Sequence, residues 1–178
     1  MRTAAIVAVA CLLSVSLAFA QESGGGMANP ITDGVKNAHE MAKGNLVKAA
    51  EQVPENLYSF KATPDVRSFG QLIGHVANAN YMICGAVSGE KRSGADIEKT
   101  MSAKADLVKA LSESFAFCDK VYEGMTDAEG AKTVAFFGGQ QAKLSVLAFN
   151  NMHNYEHYGN VVTYMRLNKM VPPSSQGR

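Results

Sequence analysis

The sequence predicts an all-α fold: a four-helix bundle, up-down in type with one long connection, preceded by a cleaved signal peptide. Three observations carry this reading. Apolar residues recur at helical spacing in four segments of about 20 to 30 residues, and no segment shows a persuasive strand alternation. Prolines, glycines and a capping pattern punctuate the ends of those segments. The chain is 47% apolar and 19% charged, the balance of a sequence that folds around a core.

Residues 1–20 read as a secretory signal. Arg2 supplies a short positive start, positions 4–18 are almost all apolar or small, and Ala18-Phe19-Ala20 is a small-x-small cleavage site. Removing 20 of the 178 residues leaves 158, one ordinary domain, and of the 17 basic residues only Arg2 leaves with the signal. The mature chain is then formally neutral. A neutral chain without a basic block lacks the electrostatic footprint of a nucleic-acid binder. No later apolar run approaches the roughly 20 residues that cross a bilayer, so the expectation is a secreted or periplasmic protein, free of the membrane after cleavage.

Cys11 falls in the signal. Ala8-Val9-Ala10-Cys11 faintly resembles a lipoprotein-processing site, but the apolar stretch before it is short and the better cleavage site follows. Cys84 and Cys118 remain, and in an oxidising compartment they can form a disulfide or stay as two buried thiols; their spacing does not decide.

Residues 21–29 form a Gly/Ser-rich flexible leader, and residues 30–175 the bundle. The first helix covers residues 30–52, with Pro30 suited to the first turn and Pro54 just past the end. Its apolar positions are sparse, and Gly34 and Gly44 argue against a straight helix. The second is the clearest: Ser68-Phe69-Gly70-Gln71 has the form of a capping box, and the helix ends near Val87 before Ser88-Gly89. A polar stretch over residues 89–101 predicts a loop or a short helical turn. The third helix covers residues 102–122, with Leu107, Ala110, Leu111, Phe115, Cys118 and Val121 on one face. Residues 126–140, including Phe136-Phe137-Gly138-Gly139, form the long connection, folded over the bundle end. The last helix covers residues 141–170, with Pro172-Pro173 beyond it.

The four histidines are the most informative residues. His153 and His157 are four apart on the last helix, so their side chains are about 40° apart on one face. Asn150, Asn160 and Tyr164 lie near the same direction, with Val146 and Phe149 above, which aims the pair at the bundle interior. His75 shares its face with Leu72, Ala79, Met82 and Ala86 and points inward as well. Facing helices are where bundles build metal sites, and three imidazoles leave a coordination position open, as catalytic rather than structural sites do. Such a site suits zinc best, with nickel, iron and manganese as further candidates. The plain alternative is three hydrogen-bonded core histidines without metal.

His-Asn-Tyr-Glu-His at residues 153–157 formally matches the inverted zincin pattern, but nothing else in the chain supports a protease scaffold. Glu156 sits at the edge of the inward face, in reach of an imidazole, and reads more simply as an exposed helix glutamate. His39, beside Glu40 on the weak first helix, reads as surface.

The order of these residues resembles a known family. Gly74-His75-Val76 within SFGQLIGHVANANY, the late HNYEHYGN at residues 153–160, and the closing VVTYMRLNKMVPPSS are similar to the DinB-like superfamily of damage-inducible and YfiT-like proteins. The resemblance covers roughly residues 30–175. It implies a four-helix bundle, a divalent metal held by His75, His153 and His157, and often a homodimer. It also implies varied chemistry, from thiol-dependent transferases and isomerases to metal-dependent hydrolases. Asn160 stands where many relatives carry Gln. The predicted export is a second departure, because the usual thiol cosubstrates are cytosolic.

The expected function is therefore that of an exported metal-binding protein, a metal-dependent hydrolase or thiol/group transferase acting on a small molecule. The competing readings are a binding bundle without turnover and a metal-free structural bundle. No catalytic group beyond the triad can be named, since Cys84 and Cys118 have no evident base beside them.

Overall fold

Four long helices, Pro30–Gln52 (α1), Phe69–Ser88 (α2), Lys104–Glu123 (α4) and Lys143–Leu167 (α6), form the bundle in the computed structural model, which describes residues 28–91 and 94–177. Two one-turn helices, Ile97–Thr100 (α3) and Asp127–Gly130 (α5), and a hairpin of Thr133–Phe136 (β1) and Gly139–Ala142 (β2) fill the connections. The expected signal peptide, residues 1–20, and residues 21–27 of the expected leader lie outside the described residues. No helix among the described residues is long and apolar enough to cross a membrane.

The helix ends follow the local chemistry. Ser68 Oγ accepts from Gln71 N at 3.2 Å while Gln71 Oε1 accepts from Ser68 N at 2.8 Å, the reciprocal box that satisfies orphan donors of α2. Gly89 closes the same helix with φ 81°, a left-handed conformation that a side chain disfavours. The first helix runs unbroken through Gly34 and Gly44. Both glycines face open space, and Leu46, Ala49 and Ala50 at its far end pack into the core with 0% exposure.

The course of the chain corrects the expected up-down arrangement with one long connection. Lys36 reaches Glu123 and Lys104 reaches Glu51, so α1 and α4 are antiparallel. Asn80 meets Ser114 and Cys84 meets Cys118, so α2 and α4 run side by side in the same direction. A parallel neighbour requires the chain to travel back along the bundle, and residues 89–103, at up to about 3.5 Å each, have the reach to retrace a 20-residue helix. The result is up-down-down-up, with a second long connection over residues 89–103.

The hairpin is the second correction, since no strand was expected. Thr133 pairs with Ala142 and Phe136 with Gly139. Four-residue strands containing Gln and Gly are too short for an alternation to register in sequence. Their support is tertiary: Phe136 is buried, packed with Val146 and Leu147 in a core cluster that includes Ile83 and Tyr122.

Cys84 and Cys118 are joined as a disulfide, with their Cα atoms 5.4 Å apart, tying α2 to α4. That resolves the pair left open by the sequence and removes both sulfurs as nucleophiles.

Candidate metal centre

His75 on α2 and His153 and His157 on α6 meet as the sequence predicts. His153 Nε2 lies 3.2 Å from His75 Nε2 and 3.2 Å from His157 Nε2. The ligating atoms of all three lie within 4.8 Å of one another. Three nitrogens converging from two antiparallel helices are spaced as donors about one cation: at a metal–nitrogen distance of about 2.05 Å, tetrahedral geometry sets them roughly 3.3 Å apart. Hydrogen bonding among the rings alone is a poorer account, because each facing pair needs a proton on one nitrogen and a lone pair on the other.

The tautomers fit a metal. His75 Nδ1 faces Glu98 Oε2 at 3.0 Å, so the ring carries its proton on Nδ1 and turns a lone pair inward at Nε2. The second Glu98 oxygen accepts from Arg67 Nε at 2.8 Å, which balances the carboxylate charge. Asn160 lies 3.4 Å from His157 Nδ1, and with the amide turned to present its oxygen it accepts the Nδ1 proton and leaves Nε2 free. His153 Nδ1 is buried with no hydrogen-bond partner among the described residues.

Electrostatics keep two of the rings neutral. Burial, then the neighbouring His153 and His75, holds His157 down at about 3. Burial, followed by His75, also lowers His153, against an opposing pull from Glu156. Neutral imidazole is the form that binds a metal. The donor set therefore fits a divalent cation.

Local sequence explains why Glu98 is there. A Cβ on Gly74 would stand 2.8 Å from Glu98 Cα and 3.0 Å from Glu98 N, so only glycine lets α3 lie this close to α2. Asn78 fixes the same turn: its amide donates to Asp96 Oδ1 at 2.6 Å, and its carbonyl accepts from Ile97 N at 3.1 Å. Glu98 was missed by sequence reasoning because it sits in a polar connection. The available signal was Gly74 itself, a glycine in mid-helix next to a candidate ligand.

Other expectations divide. Glu156 is exposed, as read from its place on the helix. Met82, expected inward, is 51% exposed. His39 is the correction: it is 1% exposed, not a surface residue. Its Nε2 meets Asp119 Oδ1 at 2.8 Å, and its ring stacks on Tyr122 with centroids 3.9 Å apart. Asp119 also accepts from Lys43 Nζ at 2.7 Å, so a lysine ammonium already supplies the positive charge there. The sparse apolar pattern of α1 hid this, because part of what the helix buries is polar. Below the triad, buried Asn154 donates to Asn80 Oδ1 and Asn80 donates to Ser114 Oγ, both at 3.1 Å, a polar link between α6, α2 and α4.

The triad stands between two clefts. His75 and His153 line one of about 550 Å³ whose walls include Ile83, Phe137 and Phe149. His157 lines another of about 620 Å³, where Arg67, Asn160 and Thr163 present polar groups.

The sequence profile of the DinB superfamily matches residues 38–161, a span that contains all three histidines. No curated protein matches the chain. Among solved structures, it is similar to a DinB-like protein from Bacillus cereus, with a TM-score of 0.68 at 16% identity over 79% of this chain and 95% of that one. It is also similar to a conserved protein from Enterococcus faecalis, with a TM-score of 0.63 at 13% identity over 80% and 98% of the two chains. A DinB-like protein from Bacillus subtilis gives a TM-score of 0.61 at 16% identity over 84% and 100%. At these identities the likeness is one of fold.

Proposed function

The chain belongs to the DinB superfamily, and from that premise we propose that it is an exported, divalent-metal-dependent hydrolase or group transferase acting on a small molecule. The observation that carries this reading is the convergence of three imidazole nitrogens, one of them oriented by a carboxylate, at the walls of two clefts. Zinc matches the donor set best, since three neutral imidazoles with a position left open are its usual catalytic arrangement. A divalent cation there supplies Lewis acidity and lowers the pKa of a water or thiol.

The protein's own groups do the rest. His75, His153 and His157 hold the cation, and Glu98 keeps the His75 proton on Nδ1 so that Nε2 points inward. Ile83, Phe137 and Phe149 give one approach an apolar wall, while Arg67 and Asn160 offer polar contacts on the other. Export is supported by the N-terminal pattern and by the Cys84–Cys118 disulfide, a bond that persists in oxidising compartments.

The test is turnover by zinc-loaded mature protein against panels of esters, amides and thiol-transfer substrates, beside chelated protein and His153→Ala. Activity that needs both the metal and His153 is expected. Activity unaffected by chelation would remove the metal from the reaction.

A further inference from the structure

The hairpin turn holds a bulky aromatic in an unfavourable conformation. Phe136 pairs with Gly139, leaving Phe137 at φ 45° and Gly138 at φ 80° as the two central residues. Turns of this kind favour Asn, Asp or Gly at both places, and a phenylalanine there is strained. The core does not require it: Phe136 is 6% exposed, whereas Phe137 is 68% exposed. Strain of this sort clusters at functional sites.

The ring of Phe137 lines the same cleft as His75 and His153. It lies 4.2 Å from the Phe136 ring centroid and meets Phe149 edge-on at 5.7 Å, and Phe149 is 6.5 Å from His153. Together Phe137, Phe149, Met82 and Ile83 wall the cleft of about 550 Å³ that His75 and His153 also line. That volume is in the range of small-molecule sites, and exposed ring faces with a thioether beside them are what a flat apolar group packs against.

We propose that Phe137, backed by Phe149, is a specificity-determining residue that selects small molecules carrying a planar apolar group close to the group that reacts at the triad. This rests on the metal-site reading above and adds the substrate class to it.

Two hydroxamates test it, one with a methyl and one with a phenyl group beside the same metal-binding head. Acetohydroxamate and benzohydroxamate are titrated calorimetrically into zinc-loaded protein, Phe137→Asn and Phe149→Ala, with zinc content measured in each. Asparagine tolerates the turn conformation and puts a small amide in place of the ring. The expected result is benzohydroxamate binding about tenfold tighter than acetohydroxamate to the wild type. Phe137→Asn should lose most of that preference, with its acetohydroxamate affinity, zinc content and thermal stability retained or raised. Equal affinities in the wild type, a preference that survives both substitutions, or zinc-loaded protein that binds neither compound would overturn the proposal and leave the metal site standing. Protein that takes up no zinc would overturn the metal reading and this inference with it.

Discussion

Glu98 accepts a hydrogen bond from His75 Nδ1 across 3.0 Å, although the two residues lie on different helices 23 positions apart. A carboxylate on the far nitrogen fixes the tautomer of a ligand histidine and raises its basicity. Glu98 therefore belongs to the candidate site as the group that orients His75.

Replacing Glu98 by alanine should weaken zinc binding about 10- to 100-fold while the helical content stays the same. Competition with a chromophoric chelator measures this. An unchanged affinity would show that the hydrogen bond does not support the ligand.

Gly74→Ala should act on the same contact from beneath. The added methyl meets the backbone of Glu98, which cannot swing aside as a flexible side chain would. The expected cost is about 1–3 kcal/mol in urea unfolding, typical of overpacking, together with a loss of zinc affinity like that of Glu98→Ala. Stability lost without any loss of affinity would mean that α3 moves and Glu98 still reaches His75.

Stability should fall in mild acid through His39. Burial lowers its pKa in the folded state, against the pull of Asp119, so the folded ring stays neutral where the unfolded ring, at 6.5, takes up a proton. The contribution is complete above pH 6.5 and drains away as pH falls toward the folded value. Urea unfolding of wild type and His39→Gln between pH 7.5 and 5 checks it: the variant should show the shallower pH dependence. Parallel curves would indicate that His39 does not couple to folding.

The Cys84–Cys118 disulfide should support the fold and leave the metal site alone. It closes a loop of 34 positions and lies more than two helical turns from His75 along α2. The double replacement of both cysteines by serine should lower stability by about 2–4 kcal/mol with zinc stoichiometry unchanged. Loss of zinc in the double variant would tie the bridge to the site.

The parts of this molecule that were legible in the sequence are those that depend on local spacing. Ser68 and Gln71 announce the start of α2, and positions 153 and 157 place two imidazoles on one helical face. His75 could be added because its helix was well defined. The parts that were not legible depend on contacts between distant elements. Glu98 joins the site only because α3 folds across Gly74, and His39 is interior only because Asp119 and Tyr122 receive it. The parallel course of α2 and α4 leaves no periodic trace, and neither does a four-residue strand held in place by Phe136.

The most direct test of the central claim is metal stoichiometry. Residues 21–178, purified without a histidine tag, reconstituted with zinc and dialysed, are measured by elemental mass spectrometry beside His153→Ala. About one zinc per chain in the wild type and almost none in the variant is the predicted result, since the triad is a single site and His153 faces both of its partners. Wild-type protein without metal, or a variant that keeps it, would contradict the account and leave a histidine cluster in a structural bundle.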